Sequence, residues 1–272
     1  MHLSLNSALG HQRLLSSGDP SALQIAPGAT AAYSLRSLTG GDPRAVRVRR
    51  SSDNVEEDFK VSEITSGALI THVGSGNDGF VSIWYDQSGN NKHATQGDSA
   101  DKQPKIVSSG SLLSNGLTFD GSNDAMVMPT DIISNVNSVS AFLVSKGQGG
   151  SAFRIAMGLS GSGASLSIGF HFLTNLTNIY AGASQVLGSA DGAKHLISLI
   201  AGGSTQKSFF DGTQKAVTST SSGYDALGTI GSGGGSLFFS GQIEEVIIYD
   251  SDQSAKRVAL ETNIQAAYPT LP

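Results

Sequence analysis

The sequence predicts an all-β fold, a jelly-roll sandwich of two antiparallel sheets, and three observations carry that prediction. Glycine occurs 34 times among 272 residues and only 14% of the chain is charged, a composition that suits many strands joined by tight turns. From Ala31 onward, apolar runs of strand length alternate with Gly, Ser, Asn and Asp clusters. No repeat with a period of 20 to 50 residues is visible, which argues against a solenoid or propeller.

Taken in chain order, residues 1–30 read as an arm outside the sandwich. Leu3, Leu5, Leu9, Leu14 and Leu15 are scattered, and Gly10, Gly18, Pro20 and Pro27 interrupt any helical period. The arm is expected to dock on a neighbouring subunit, and residues 31–272 to form one domain. Strands are predicted at Ala45–Arg49, Phe80–Tyr85, Leu117–Phe119, Val139–Ser145, Phe153–Gly158, Ser165–Phe172, Ile179–Ala181, His195–Ala201, Lys207–Phe210, Ser236–Phe239 and Gly241–Tyr249. A short C-terminal helix follows: Ser254 can cap it, Val258, Ile264 and Ala267 can share a face, and Pro269 ends it. It is expected to pack across the sandwich edge.

Composition excludes several functions. The net charge of -5 gives no broad basic field for nucleic acid, and five of the eight arginines (Arg36, Arg44, Arg47, Arg49, Arg50) sit beside the acidic run 53–58, where they can pair locally. The absence of cysteine removes disulfides, thiolate chemistry and Cys-based zinc sites. The six histidines (2, 11, 72, 93, 171, 195) lack close metal-ligand spacing, so no metal and no cofactor are expected. No apolar stretch reaches the ~20 residues of a membrane helix. The opening MHLSLNSALGHQRLL lacks a basic and apolar leader, so synthesis in the cytoplasm is expected.

Three segments of the second half, LTFDGSNDAMVM (117–128), HLISLIAGGSTQKSFFDGTQKAV (195–217) and FFSGQIEEVIIYDSDQSAKRVALETNIQAAY (238–268), resemble a laminin-G or concanavalin A-like sandwich. In the FDG device, at Phe119–Gly121 and Phe210–Gly212, an aromatic points inward and Asp-Gly makes the turn. In the first half, AYSLR (32–36), VRVRRSSDN (46–54) and IWYDQSGNNKHATQ (83–96) resemble the opening of the α-L-arabinofuranosidase B catalytic domain. That resemblance implies a retaining glycosidase with two carboxyl groups ~5 to 5.5 Å apart. The stretches resembling the carboxylate-bearing segments, AFRIAMGLSGSG (152–163) and LGTIGSGGGSLFFSG (227–241), contain neither Asp nor Glu, and the family's cysteine pair is absent. Glu244 and Glu245 are alternative carboxylates. Strict alternation in GQIEEVIIYD puts them on opposite sheet faces, Glu245 with Ile243 and Ile247, and favours a ladder role.

The polar stretch WYDQSGNNKHATQ (84–96) has two readings. As a structural turn network, Asp86, Asn90 and Asn91 bond backbone amides while the VRVRR arginines, Arg47 and Arg49 among them, pair with Asp86 or Asp53. As a glycan site, Trp84 is a stacking platform and Asp86, Asn90 and His93 bond hydroxyls. Asp120, Asn123 and Asp124 offer oxygens to Ca²⁺, yet FDGSND is also an ordinary turn. No phosphate loop or GxSxG elbow occurs. The expected function is that of a non-enzymatic bacteriophage virion surface protein, a head decoration or tail or fibre component. Its expected partners are other virion proteins through the arm, further copies of itself in the assembly, and host-surface glycans. A carbohydrate-binding module and an arabinofuranosidase-like hydrolase are the alternatives.

Overall fold

The computed structural model describes residues 18–113, 116–148, 154–160, 167–173, 176–180, 184–188, 191–202, 205–219, 224–233, 237–269 and 271. Leu3, Leu5, Leu9, Leu14 and Leu15 lie outside the described residues. The first half holds α1 (Ala22–Ile25), β1 (Ala31–Ser34), β2 (Arg44–Arg50), β3 (Glu56–Lys60), α2 (Val61–Thr65), α3 (Ala68–Val73) and β4 (Gly79–Trp84). Short pieces follow: β5 (Ala94–Thr95), β6 (Lys105–Ser108), β7 (Ser111–Leu112), β8 (Leu117–Asp120), β9 (Met126–Val127) and β10 (Ile133–Val136). The longer hairpins are β11 (Ser138–Gln148), β12 (Arg154–Ser160), β13 (Ser167–Leu173), β14 (Leu176–Tyr180), β15 (Ser184–Gly188), β16 (Asp191–Gly202), β17 (Thr205–Phe210), β18 (Thr213–Ser219) and β19 (Tyr224–Ile230). β20 (Ser240–Tyr249) and α4 (Arg257–Ala267) close the chain.

The named strands pair antiparallel throughout and form two layers. One runs β18, β17, β16, β11, β20, β1, with β8 beside β1 on the same edge of β20. The other runs β3, β2, β4, β5, β9, β19, β12, β13, β14, β15. β6 pairs with both β4 and β8, so the ladder passes from one layer to the other without a break. Between the layers, Tyr33, Leu143, Leu199, Val246 and Ile248 of the first meet Val48, Val81, Trp84, Met157 and Ile230 of the second in one core. This is the all-β sandwich that the alternating runs predict.

A second core lies on the outer face of the first layer, where Phe142, Val144, Leu196, Ile200, Phe209, Ile247 and Tyr249 are covered by Ala22, Ala26, Leu38, Leu260, Ile264, Tyr268 and Leu271. Several expectations change here. The C-terminal helix packs on a sheet face instead of an edge, and its buried positions are Leu260, Glu261, Asn263 and Ile264, while Val258 is exposed. Ser254 does not cap it; Lys256 precedes the first turn without a side-chain bond, and Ser254 N donates instead to Asp252 Oδ1. Pro269 does follow its end. The arm boundary at residue 30 also moves, because Ala22, Ala26 and Ala29 are buried and belong to the packed body. Tyr249 Oη donates to Ala26 O at 2.8 Å and fixes that segment.

Strand predictions missed Ala31–Ser34, Glu56–Lys60, Lys105–Ser108, Ile133–Val136, Ser184–Gly188, Thr213–Ser219 and Tyr224–Ile230 among the longer strands; in Glu56–Lys60 three consecutive acids precede a single aromatic and give no apolar alternation. Ser236–Phe239 is not a strand where described: Phe238 makes only an isolated bridge to Ile155 before β20 begins. Among the described residues no helix is long and apolar enough to cross a membrane.

Both FDG turns form as read. Asp120 Oδ1 accepts from Ser122 N and Asn123 N. Asp211 adopts φ 50° and Gly212 φ 78°, and Asp211 Oδ1 accepts from Leu196 N at 2.9 Å. The other Asp211 oxygen lies 2.7 Å from His195 Nδ1, while Asp191 Oδ1 lies 3.1 Å from Nε2, and the ring stacks on Phe210. Burial opposes a charge on His195, but the two carboxylates outweigh it and raise its pKa. A raised folded-state pKa stabilises the protein below the unfolded value of ~6.5, and the contribution disappears as pH rises through the folded value. Relative to His195→Gln, the parent should therefore lose thermal stability between pH 6 and the upper end of that transition. A parallel pH dependence of the two melting curves would refute this role.

Candidate functional site

The 84–96 stretch is organised by its carboxylate and amides. Asp86, 9% exposed, accepts from Ala32 N (2.9 Å), Ser88 N (2.8 Å), Ser88 Oγ (2.7 Å) and Lys92 N (3.1 Å). Gln87 donates to Ser34 O and Arg36 O and accepts from Leu38 N. Asn90 Nδ2 donates to Ala29 O and Thr30 O. These bonds tie the loop after β4 to both ends of β1. Asp86 N donates to His93 Nδ1 at 3.1 Å, so that nitrogen carries no proton, and burial lowers the His93 pKa.

The glycan reading of this stretch is corrected. Trp84 is fully buried in the inter-sheet core, with its ring 5.8 Å from Tyr33, and offers no face to a sugar. Asp86, Asn90 and His93 are engaged with backbone groups. The turn-network reading is corrected in its partners. Arg47 pairs with Asp58, Arg50 with Asp53, and Arg49 donates to Gln103, Asn54 and Ala100 O. Among the described residues no arginine pairs with Asp86, whose oxygens accept from three backbone amides and the Ser88 hydroxyl. Asn91 contributes through its left-handed backbone, φ 57°. The Arg50 guanidinium holds the Asp53 carboxyl down to about 2.

Glu244 and Glu245 do not alternate as the pattern predicts. Val144 pairs with Glu245 and Ser145 with Ile243, so Glu244 is the extra residue of a bulge. Ile243 and Val246 consequently share the inter-sheet core, and Glu245 turns to the face covered by α4. There Glu245, 1% exposed, accepts from Arg36 Nε (2.6 Å) and Nη2 (2.8 Å), Tyr268 Oη (3.0 Å) and Ser34 Oγ (3.2 Å). Lys194 Nζ lies 2.8 Å from Glu244 Oε2 and over the Tyr268 ring. Burial raises the Glu244 pKa, and Lys194 opposes that. The Glu245 carboxylate holds Arg36 and Tyr268 to the sheet, and the Glu244–Lys194 pair joins β20 to β16 within it.

The described parts of 152–163 and 227–241 lie side by side, with Met157 opposite Ile230 and Gly158 opposite Thr229. One acidic group that sequence patterns passed over as a turn residue approaches them. Asp124, 6% exposed, sits against Gly231, where an added Cβ would meet Asp124 O at 3.2 Å. Among the described residues its Oδ2 accepts from Asp120 N, at 2.9 Å. Burial foremost, with the charges of Asp120 and Asp101, pushes its pKa up to about 7. Loop burial is the missing signal, since FDGSND alone gives no sign of which side chain turns inward. Among the described residues no group of three or more His, Asp and Glu side chains is placed to hold a metal ion.

Solved structures share this architecture. The chain is similar to an arabinofuranosidase complexed with arabinofuranosyl-alpha-1,2-xylobiose, at 15% identity and a TM-score of 0.69 over 88% of this chain and 62% of that one. It is also similar to a GH54 α-L-arabinofuranosidase soaked with a cyclic sulfate inhibitor, at 14% identity and a TM-score of 0.67 over 88% and 63%. A Trypanosoma rangeli sialidase in complex with sialic acid matches 68% of this chain and 31% of its own, at 17% identity and a TM-score of 0.50. This chain thus spans less than two thirds of the arabinofuranosidase chains it matches. No protein-family model and no curated protein matches the sequence. What the chain shares with these glycosidases is a β-sandwich fold.

Proposed function

We propose that this chain is a non-enzymatic surface protein of a bacteriophage particle, a head decoration or a tail or fibre component, built on a glycosidase-type sandwich. The observation that carries the non-enzymatic part is the use of its interior carboxylates. Glu245 and Glu244 are bound to Arg36 and Lys194, and Asp86 to four backbone and hydroxyl donors, so each holds layers or loops together. The stretches 152–163 and 227–241 contain no Asp or Glu. Without a proton donor and a covalent acceptor, glycoside cleavage loses most of its transition-state stabilisation. The particle setting fits a body held by hydrogen bonds and ion pairs, with no cysteine and no need of an oxidising compartment.

One observation favours a second reading, an arabinofuranosidase-like hydrolase: Asp124, held near 7 beside Gly231, has the protonation a general acid needs. Mass spectrometry of purified particles and an assay with 4-nitrophenyl α-L-arabinofuranoside test both. The first reading expects the intact chain in the particle and no release of nitrophenol. Turnover abolished by Asp124→Asn would replace it with the second.

A further inference from the structure

We propose that the trough along α4 is the docking site of this chain's own residues 9–17, with Leu14 or Leu15 in its first hollow and Leu9 in its second. The first hollow, about 220 Å³, lies between α1 and α4 and is lined by Asp19, Pro20, Ile25, Ala259, Thr262 and Ala266. The second, about 360 Å³, is walled by Leu35, Val61, Ile64, Leu112 and Ala267. They adjoin: Ala266 and Ala267 are consecutive, and Asn263 Oδ1 of the first accepts from Arg36 Nη2 of the second at 3.1 Å.

The lining calls for an apolar occupant, because its hydroxyls and its amide are already engaged. Thr262 Oγ1 donates to Val258 O, Thr65 Oγ1 to Ser62 O, and Asn263 Nδ2 to Pro20 O. The Arg36 guanidinium and the Tyr268 hydroxyl are both taken by Glu245. What remains for a ligand is mainly alkyl surface, whose burial is favourable. Val258, next to Ala259, is 62% exposed and Leu112 37%, so apolar surface is left to water at both ends of the trough.

The choice of occupant follows from where the chain enters. Residues 1–17 precede the first described residue, Gly18, and Asp19 and Pro20 form a wall of the first hollow. Residues 9–17 read LGHQRLLSS, with three leucines and no acidic residue. Only Ser16, Ser17 and Gly18 separate Leu15 from Asp19, so the leucine pair enters the hollow by closing a very short loop. At ~1.5 Å per residue, α4 from Ala259 to Ala267 spans ~12 Å, whereas the chain from Asp19 back to Leu9 can reach ~33 Å. The segment is therefore long enough to cover both hollows. Tethering gives it an effective concentration on the order of millimolar, which the same segment of a second copy would have to match by mass action.

The chain has no cysteine, so engineered pairs report contact without background. In the full chain, Leu14→Cys or Leu15→Cys is combined with Ala259→Cys and oxidised at low and high protein concentration, with intact mass and non-reducing electrophoresis as readouts. At least one pair should close within the monomer at a rate independent of concentration. Closure should be at least ~10-fold faster than for the same leucine position paired with Val127→Cys, which is exposed on β9 in the other layer. Leu14→Asn with Leu15→Asn should lower the melting temperature by roughly 2 to 4 °C. Docking on a neighbouring subunit, the expectation from sequence, gives disulfide-linked dimers instead, and that result overturns the proposal. So does failure of both pairs to close, closure to Val127→Cys as fast as to Ala259→Cys, or parent-like melting of the asparagine variant.

Discussion

Arg36→Ala should destabilise the protein by about 3 to 5 kcal/mol, the cost of breaking a buried ion pair from one side. The estimate follows from what the substitution leaves behind. Glu245 is 1% exposed and Arg36 retains 19% side-chain exposure, so removing the guanidinium strands a carboxylate that water cannot readily reach. Two of its four donors go, the bidentate Nε and Nη2 fork, and only the hydroxyls of Ser34 and Tyr268 stay. Arg36 Nη2 also donates to Asn263 Oδ1, while Asn263 Nδ2 donates to Pro20 O, so the same change loosens α4 and the N-terminal segment together. Arg36→Lys should fall between parent and Ala, since one ammonium cannot reproduce the fork. Arg36→Met with Glu245→Leu should recover much of the loss, because the pair then carries no desolvation cost. Urea unfolding measures all three; a loss below about 1 kcal/mol for Arg36→Ala would show that the pair is solvated and does not hold the layers.

The two FDG turns were legible in the sequence because everything they need is local: an inward aromatic, an Asp that bonds nearby amides, and a glycine at positive φ. The two layers were legible from spacing and alternation. What escaped depends on partners distant in sequence. Alternation placed Glu245 with Ile243, but the bulge at Glu244 is set by the pairing of Val144 and Ser145 about a hundred residues earlier. The same holds for the arginines. VRVRR announces guanidinium donors, while the choice of Asp58 for Arg47 comes from the β2–β3 register, in which those two residues are directly opposed. The strand period correctly separated Trp84 from Ile83 and Tyr85, yet it could not say which side faces the core. That is why a buried tryptophan read equally well as a sugar platform. Asp124 shows the converse: its residue type was visible, while its burial, with Gly231 packed near its backbone carbonyl, depends on a segment about a hundred residues away.

Asp86→Ala should cost about 3 kcal/mol and leave the fold's remaining contacts in place. Its carboxylate receives four hydrogen bonds, two on each oxygen: Ala32 N and Ser88 N on Oδ1, Ser88 Oγ and Lys92 N on Oδ2. Alanine orphans three backbone amides at once, of which that of Ala32 is buried at the start of β1, and each orphan costs ~1 to 3 kcal/mol where water cannot replace the acceptor. Water entering beside Ser88 and Lys92, which are less buried, keeps the total at the lower end of that sum. Asp86→Asn provides the internal check. Its Oδ1 can keep Ala32 N and Ser88 N, and the Ser88 hydroxyl can turn to accept from the new amide group, so only Lys92 N is left facing a donor. Asparagine should therefore cost about half as much as alanine. The bond from Asp86 N to His93 Nδ1 is backbone and should survive both changes. Thermal and urea unfolding of the three proteins read the order directly. Parent-like melting of Asp86→Ala, or equal losses for Ala and Asn, would mean that these donors find water without penalty and that the 84–96 stretch does not secure β1.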